Sequence, residues 1–134
     1  MIRAVLDTNV VISALILRGP TNRLADLWHA KKFKWIVSKA IVTEYFRVLA
    51  YPKFQLQLEE VKKLAQKHVL PFVSPVTVTQ VPSIIREDPS DDIFLACAKT
   101  GRCDYLVSGD MHLRSLKQYE GIPILTANEF LKII

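Results

Sequence analysis

The chain has 134 residues, 50% hydrophobic and 23% charged, a size and balance that fit one compact globular domain over residues 1–134. Its apolar runs break well short of the ~18 residues that a membrane span needs, and the start "MIRAVLD" lacks the apolar core of a signal peptide, so a cytoplasmic protein is expected. Eighteen Lys and Arg against thirteen Asp and Glu leave a net charge of +5, which favours a polyanionic partner without identifying one.

Ile2 to Leu6 form a short continuous apolar run around one Arg and one Ala, as a central parallel strand does when helices cover both its faces. The strand ends at Asp7. "NVVISALIL" reads as a buried helix that "RGP" breaks, and Pro20 opens a second helix in which Leu24, Leu27 and Trp28 recur at helical spacing. Phe33 to Val37 give a second strand. Ser38 then N-caps "KAIVTEYFRVLAY", which stops at Tyr51 because Pro52 disfavours helix in the residue before it. A further helix is expected over Leu58 to Leu70, and Pro71 to Arg86 reads as an irregular stretch or edge strand. In "DPSDDIFLACAKTG", Asp88 suits an N-cap, Pro89 the first helical position and Gly101 the C-terminal turn. "DYLVS" is a strand, "GDMHLRSL" loop and helix, and "IPIL" a short strand; Thr126 and Glu129 make a capping box for the last helix, "ANEFLKII". This alternation predicts an α/β fold, a three-layer α/β/α sandwich on a mainly parallel central sheet. Cys97 and Cys103 flank Thr100-Gly101 with no further Cys or paired His, so neither a zinc site nor a disulfide framework is expected; both read as buried hydrophobes.

Ligands of such sheets bind beyond the carboxyl ends of the strands. Asp7 follows the first strand and Asp110 follows "DYLVS", so both belong to that rim. Either one alone would be a helix cap. At 100° per residue Ile41, Val42, Tyr45, Phe46, Val48 and Leu49 make one apolar stripe, and Glu44 falls beside Val48 at its margin, with Lys39, Thr43 and Arg47 on the wet side. Glu87, Asp88, Asp91 and Asp92 crowd into six residues, and Asp88 and Asp92 share a face at i, i+4, a like-charge conflict that a cation would remove. His29, His68 and His112 form no ligand pair by spacing.

In the order Asp7, Glu44, Asp92, Asp110 these acids carry a resemblance to the PIN-domain nuclease family. The matching pieces are "VLDTNVVIS", "VTEYFRVL", "DDIFLACA" and "YLVSGDMHL". Within the family the chain is similar to the short VapC-like toxins of type II toxin–antitoxin pairs, and "EDPSDD" is similar to an acidic lead-in of that subgroup. The resemblance implies a metal-dependent endoribonuclease acting on single-stranded RNA, a homodimer, and a small antitoxin as partner. The resemblance implies Asp7, Glu44, Asp92 and Asp110 as the metal ligands, and oxygen donors without His or Cys favour Mg²⁺ or Mn²⁺. The resemblance favours Asp92 over its neighbour Asp91, because Asp92 aligns with the family's acid directly preceding the apolar run, here "IFLACA", although a one-residue shift in helix phase exchanges the two. Thr8, Asn9 and Ser108 are candidates for supporting or phosphate contacts. Among the basic residues, Lys31, Lys32 and Lys34 and then Lys62, Lys63 and Lys67 form the tightest groups. A phosphotransfer receiver needs an acid pair after strand one, where Leu6 and Thr8 flank Asp7. A haloacid-dehalogenase phosphatase needs a second Asp where Asn9 stands. The alternative that remains is a catalytically silent PIN-like domain that binds RNA or a protein.

Overall fold

The computed structural model describes residues 1–16, 22–79 and 91–134. Among them six strands form one sheet: β1 (Arg3–Leu6), β2 (Lys34–Val37), β3 (Val73–Pro75), β4 (Tyr105–Val107), β5 (Gln118–Tyr119) and β6 (Ile122–Leu125). Around it lie α1 (Thr8–Ile16), α2 (Asn22–His29), α3 (Lys39–Leu49), α4 (Leu58–Leu64), α5 (Asp92–Thr100), α6 (Met111–Arg114) and α7 (Ala127–Leu131). The result is the expected α/β/α sandwich. Strand order is β3-β2-β1-β4-β6-β5, parallel throughout except for β5 against β6. The chain therefore steps outward from β1 in one direction and from β4 in the other, so the order reverses between them and a crevice opens beyond their carboxyl ends. Leu6 pairs with Val107, and the Asp7 N–H donates to the Val107 carbonyl at 3.0 Å, which brings the two strand ends level.

Ala4, Val5 and Leu6 are fully buried, as are Trp35 and Ile36 beside them and Leu95 and Phe94 from α5. Side chains shielded on both faces explain why these strands read as unbroken apolar runs. On α3, Ile41, Tyr45 and Leu49 recur every four residues and all are buried. Leu49 meets Ile12 and Val61 in a second cluster that ties α1 and α4 to α3. Tyr45 brings a polar link into the core: its hydroxyl donates to the Leu6 carbonyl at 2.5 Å and accepts from the Trp35 indole N–H at 3.4 Å. Burial keeps that phenol protonated far above its ordinary range. Cys97 and Cys103 are buried free thiols, pushed up to about 12 by burial. Gly101 is required by close packing, since a Cβ there would lie 2.7 Å from Ile36 Cγ2.

Element ends differ from expectation for local reasons. The caps at Ser38 and at Thr126 with Glu129 form as expected. Helix α1 begins at Thr8, because Asp7 caps it, while α3 ends at Leu49 and leaves Tyr51 extended before Pro52. The helix expected to Leu70 is α-helical only to Leu64, then widens to a π turn over Ala65–Val69 and tightens over Leu70–Phe72, where Pro71 has no N–H to continue the ladder. Helix α7 stops at Leu131. The edge strand β3 occupies three residues of the valine-rich stretch. Strand β5 was not expected; it pairs with β6 through a turn in which Glu120 and Gly121 both have positive φ, 52° and 80°. His29 and His68, distant in sequence, meet with Nε2 and Nδ1 3.0 Å apart. Pro20, Asp88 and Pro89, expected at helix starts, lie outside the described residues.

Removing the Tyr45 hydroxyl leaves two buried polar groups, the Leu6 carbonyl and the Trp35 N–H, without that partner. Tyr45→Phe is expected to cost about 1–3 kcal/mol in urea denaturation. A loss below about 0.5 kcal/mol would show that the link contributes little.

Candidate active site

Asp7 emerges from β1 at the point where the strand order reverses, and only 4% of it is exposed. One carboxylate oxygen accepts from the Val10 N–H at 2.9 Å, capping α1, and the other accepts from the Ser108 hydroxyl. Ser108 follows β4, is wholly buried, and accepts from the Asp110 N–H at 2.9 Å. One serine therefore joins the ends of both central strands. Asp110 in turn caps α6, accepting from the His112 N–H at 2.8 Å.

Glu44 reaches the same place from α3. Its side chain is 13% exposed, in keeping with its position at the margin of the apolar stripe. The Thr8 hydroxyl donates to Oε2 at 2.5 Å, and Arg47 lies 3.3 Å from Oε1. Asp91 and Asp92, at the start of α5, are both buried.

A cavity of about 290 Å³ lies between these elements. Asp7, Thr8, Asn9, Glu44, Asp91 and Asp110 line it, together with Val48, Tyr51, Lys53 and Phe94. Asp92, the preferred third acid, is not among its lining residues, whereas its neighbour Asp91 is. The start of α5 sets which of two adjacent acids faces inward, since successive helical residues point 100° apart. Ser108 stands behind Asp7 as its hydrogen-bond donor. Neither lysine group lines the cavity. Lys34 opens β2, at the amino-terminal edge of the parallel sheet and so opposite Asp7, and Lys62 and Lys63 are exposed on α4. Tyr51, Lys53, Val48 and Phe94 were not identified as site residues from sequence. For Val48 there was a signal, its place beside Glu44 on the helical wheel. A larger hollow of about 690 Å³ lies beside the start of α3, but Ser38, Lys39, Ala40, Thr43, Val76, Thr77, Val78 and Ile93 line it, and none of them is acidic.

Burial raises the Asp7 carboxyl to about 6; the Ser108 and Val10 hydrogen bonds oppose the rise, and the nearby charges of Asp110 and Glu44 add to it. Negative charge is thus gathered where ionisation is already disfavoured, and a divalent cation would offset it. Among the described residues no three His, Cys, Asp or Glu side chains are grouped closely enough to hold a metal directly. The donor set fits a hard ion that keeps part of its water shell: the walls carry oxygen donors, and Mg²⁺ is commonly held by one or two carboxylates. With each water occupying ~30 Å³, the cavity has room for an ion and several waters.

Residues 3–112 match a family model described as PIN domain. No curated protein matches the chain. Among solved structures, VapBC2 from Rickettsia felis, crystallised bound to a DNA fragment from its promoter, is similar with a TM-score of 0.64 at 13% identity; the alignment covers 93% of this chain and 98% of that one. PAE2754 from Pyrobaculum aerophilum has a TM-score of 0.64 at 13% identity, covering 98% of this chain and 89% of that one. FitAcB from Neisseria gonorrhoeae has 0.60 at 15% identity, covering 92% and 97%. At these identities the likeness shows the fold.

The raised Asp7 carboxyl makes a signed prediction about stability. The unfolded chain releases this proton near 3.8 and the folded protein near 6, so the folded state binds more protons in between and stability falls as pH rises through that window. Relative to Asp7→Asn, the wild type measured by urea denaturation in chelator should lose on the order of 3 kcal/mol between pH 4 and pH 7. A difference between the two proteins that stays constant across the window would contradict the assignment.

Proposed function

This chain belongs to the PIN domain family, and from that premise we propose that it is a Mg²⁺- or Mn²⁺-dependent endoribonuclease, the toxin of a cytoplasmic toxin–antitoxin pair. The observation that carries the reading is the meeting of Asp7, Glu44, Asp91 and Asp110, from four separate elements, around one cavity at the reversal of strand order. Burial and the nearby charges of Asp110 and Glu44 disfavour the ionised Asp7, and a cation held at the cavity would offset that cost. The fold likeness to VapBC2 and FitAcB supports the pairing with a small antitoxin, and the resemblance of the sequence to VapC-like toxins supports a homodimer. Residues 1–134 act in this reading as one nuclease unit.

Asp7, Glu44, Asp91 and Asp110 would hold the metal, some through water. Asp91 takes the place expected of Asp92 because it lines the cavity. A bound ion supplies polarisation of a phosphate oxygen and a more acidic water for hydrolysis of the phosphodiester. The chain's own residues orient that chemistry. Ser108 and the Val10 N–H hold the two oxygens of Asp7, and Thr8 fixes Glu44, so these two acids are positioned by separate donors. Asn9 is exposed at the cavity wall, which supports a role for its side-chain amide in donating to a phosphate oxygen.

The test is cleavage of single-stranded RNA by purified protein, freed of any antitoxin, with and without Mn²⁺. Wild type should cut only with the metal, Asp7→Asn and Asp91→Asn should lose about 100-fold or more, and Asp92→Asn should retain more activity than Asp91→Asn. Equal metal-dependent activity in all four proteins would refute the site. RNA binding without cleavage by wild type would establish the silent-domain alternative instead.

A further inference from the structure

Four acids around a cleft repel the phosphates of any strand that enters it, so a nuclease of this form needs a separate feature to hold the strand. Lys53 is the one basic side chain among the described residues lining the cavity, and Tyr51 lines it too, with 41% of its surface exposed. Glu44, Val48 and Tyr51 stand at i, i+4 and i+7, so the acid and the open ring follow one side of α3 and its end, about 10 Å apart along the axis. Pro52 holds Tyr51 extended at φ −63° and ψ 140°. The turn after it is closed by hydrogen bonds from Phe54 N–H to the Tyr51 carbonyl, 3.1 Å, and from Gln55 N–H to the Pro52 carbonyl, 3.0 Å. Phe54 packs against the Ile12, Leu49 and Val61 cluster, and the Lys53 ammonium lies 5.1 Å from the centre of its ring. An aromatic face and a cation are thus presented side by side on an anchored turn. Among the described residues, no hydrogen bond of the site uses the side chain of either one.

Resting on the nuclease reading above, we propose that Tyr51 and Lys53 form the strand-holding wall of the cleft, Tyr51 stacking on a base of single-stranded RNA and Lys53 contacting a neighbouring phosphate. Stacking tolerates any base, so this wall grips a strand without reading its sequence. Its place two turns from Glu44 sets which nucleotide is held while the adjoining phosphodiester reaches the acids.

Fluorescence anisotropy with a short labelled single-stranded RNA, a matching strand with abasic sites, Ca²⁺ and a series of KCl concentrations tests it. Tyr51→Ala should weaken RNA binding about 5- to 100-fold and abolish the preference for RNA over the abasic strand, and Tyr51→Trp should restore both. Lys53→Gln should keep the base preference but make the slope of log affinity against log salt shallower by about 0.7, the loss of one phosphate contact. Both residues are exposed, so their variants should fold. Unchanged affinity and slope, equal losses on both strands, or no RNA binding by wild type would overturn the proposal. Metal-dependent cleavage is scored separately: a wild type that binds with these signatures and does not cut refutes the nuclease reading and leaves the wall standing, while normal cleavage with variants that bind unchanged does the reverse.

Discussion

The burial of one carboxylate organises this protein. Asp7 sits where β1 meets β4, with Val10 and Ser108 donating to its two oxygens, in surroundings that oppose its ionisation. Those two hydrogen bonds stitch together the start of α1 and the loop after β4. The same Ser108 positions the Asp110 backbone, and Thr8, next in sequence to Asp7, fixes Glu44 on α3. The crevice of the sheet and the acids in it are therefore one construction: the parallel register that levels Leu6 with Val107 also levels the residues that follow them.

Stability alone does not account for a carboxylate at this position. A core built from Leu6, Trp35, Ile36, Tyr45 and Phe94 has no energetic reason to retain a carboxylate at its edge. The Tyr45 hydroxyl on the Leu6 carbonyl fixes the residue just before Asp7, so α3 braces the site from below with one residue while Glu44, its sequence neighbour, enters the cavity. A charge gathered at that cost, in a PIN domain, makes sense as half of an interaction that a cation completes.

Much of this was legible in the sequence because periodicity and capping are local. Apolar runs marked β1, β2, β4 and β6, and Ser38 and Thr126 marked two helix starts. The positions of Asp7 and Asp110 followed from strands that end just before them, and that of Glu44 from the helical wheel. What escaped depended on distant partners or on phase. Asp91 and Asp92 are adjacent acids at a helix start, and only the docking of α5 against the sheet decides which of them faces the cavity. Strand β5 has two residues, too few for a periodic signal. Ser108 could be placed near the rim, but its donation to Asp7 across 101 positions could not. The two tightest lysine groups stand out by density alone, whereas Lys53, isolated in sequence, is the cation that lines the cleft among the described residues.

In the proposed function, the buried Asp7 carboxylate serves to hold a divalent ion. Calorimetric titration of Mn²⁺ into wild type and Asp7→Asn at neutral pH tests it most directly. Saturable binding to wild type is expected, with an affinity at least about 10-fold lower in the variant and the variant more stable than wild type when no metal is present. Equal Mn²⁺ affinity in the two proteins would contradict it.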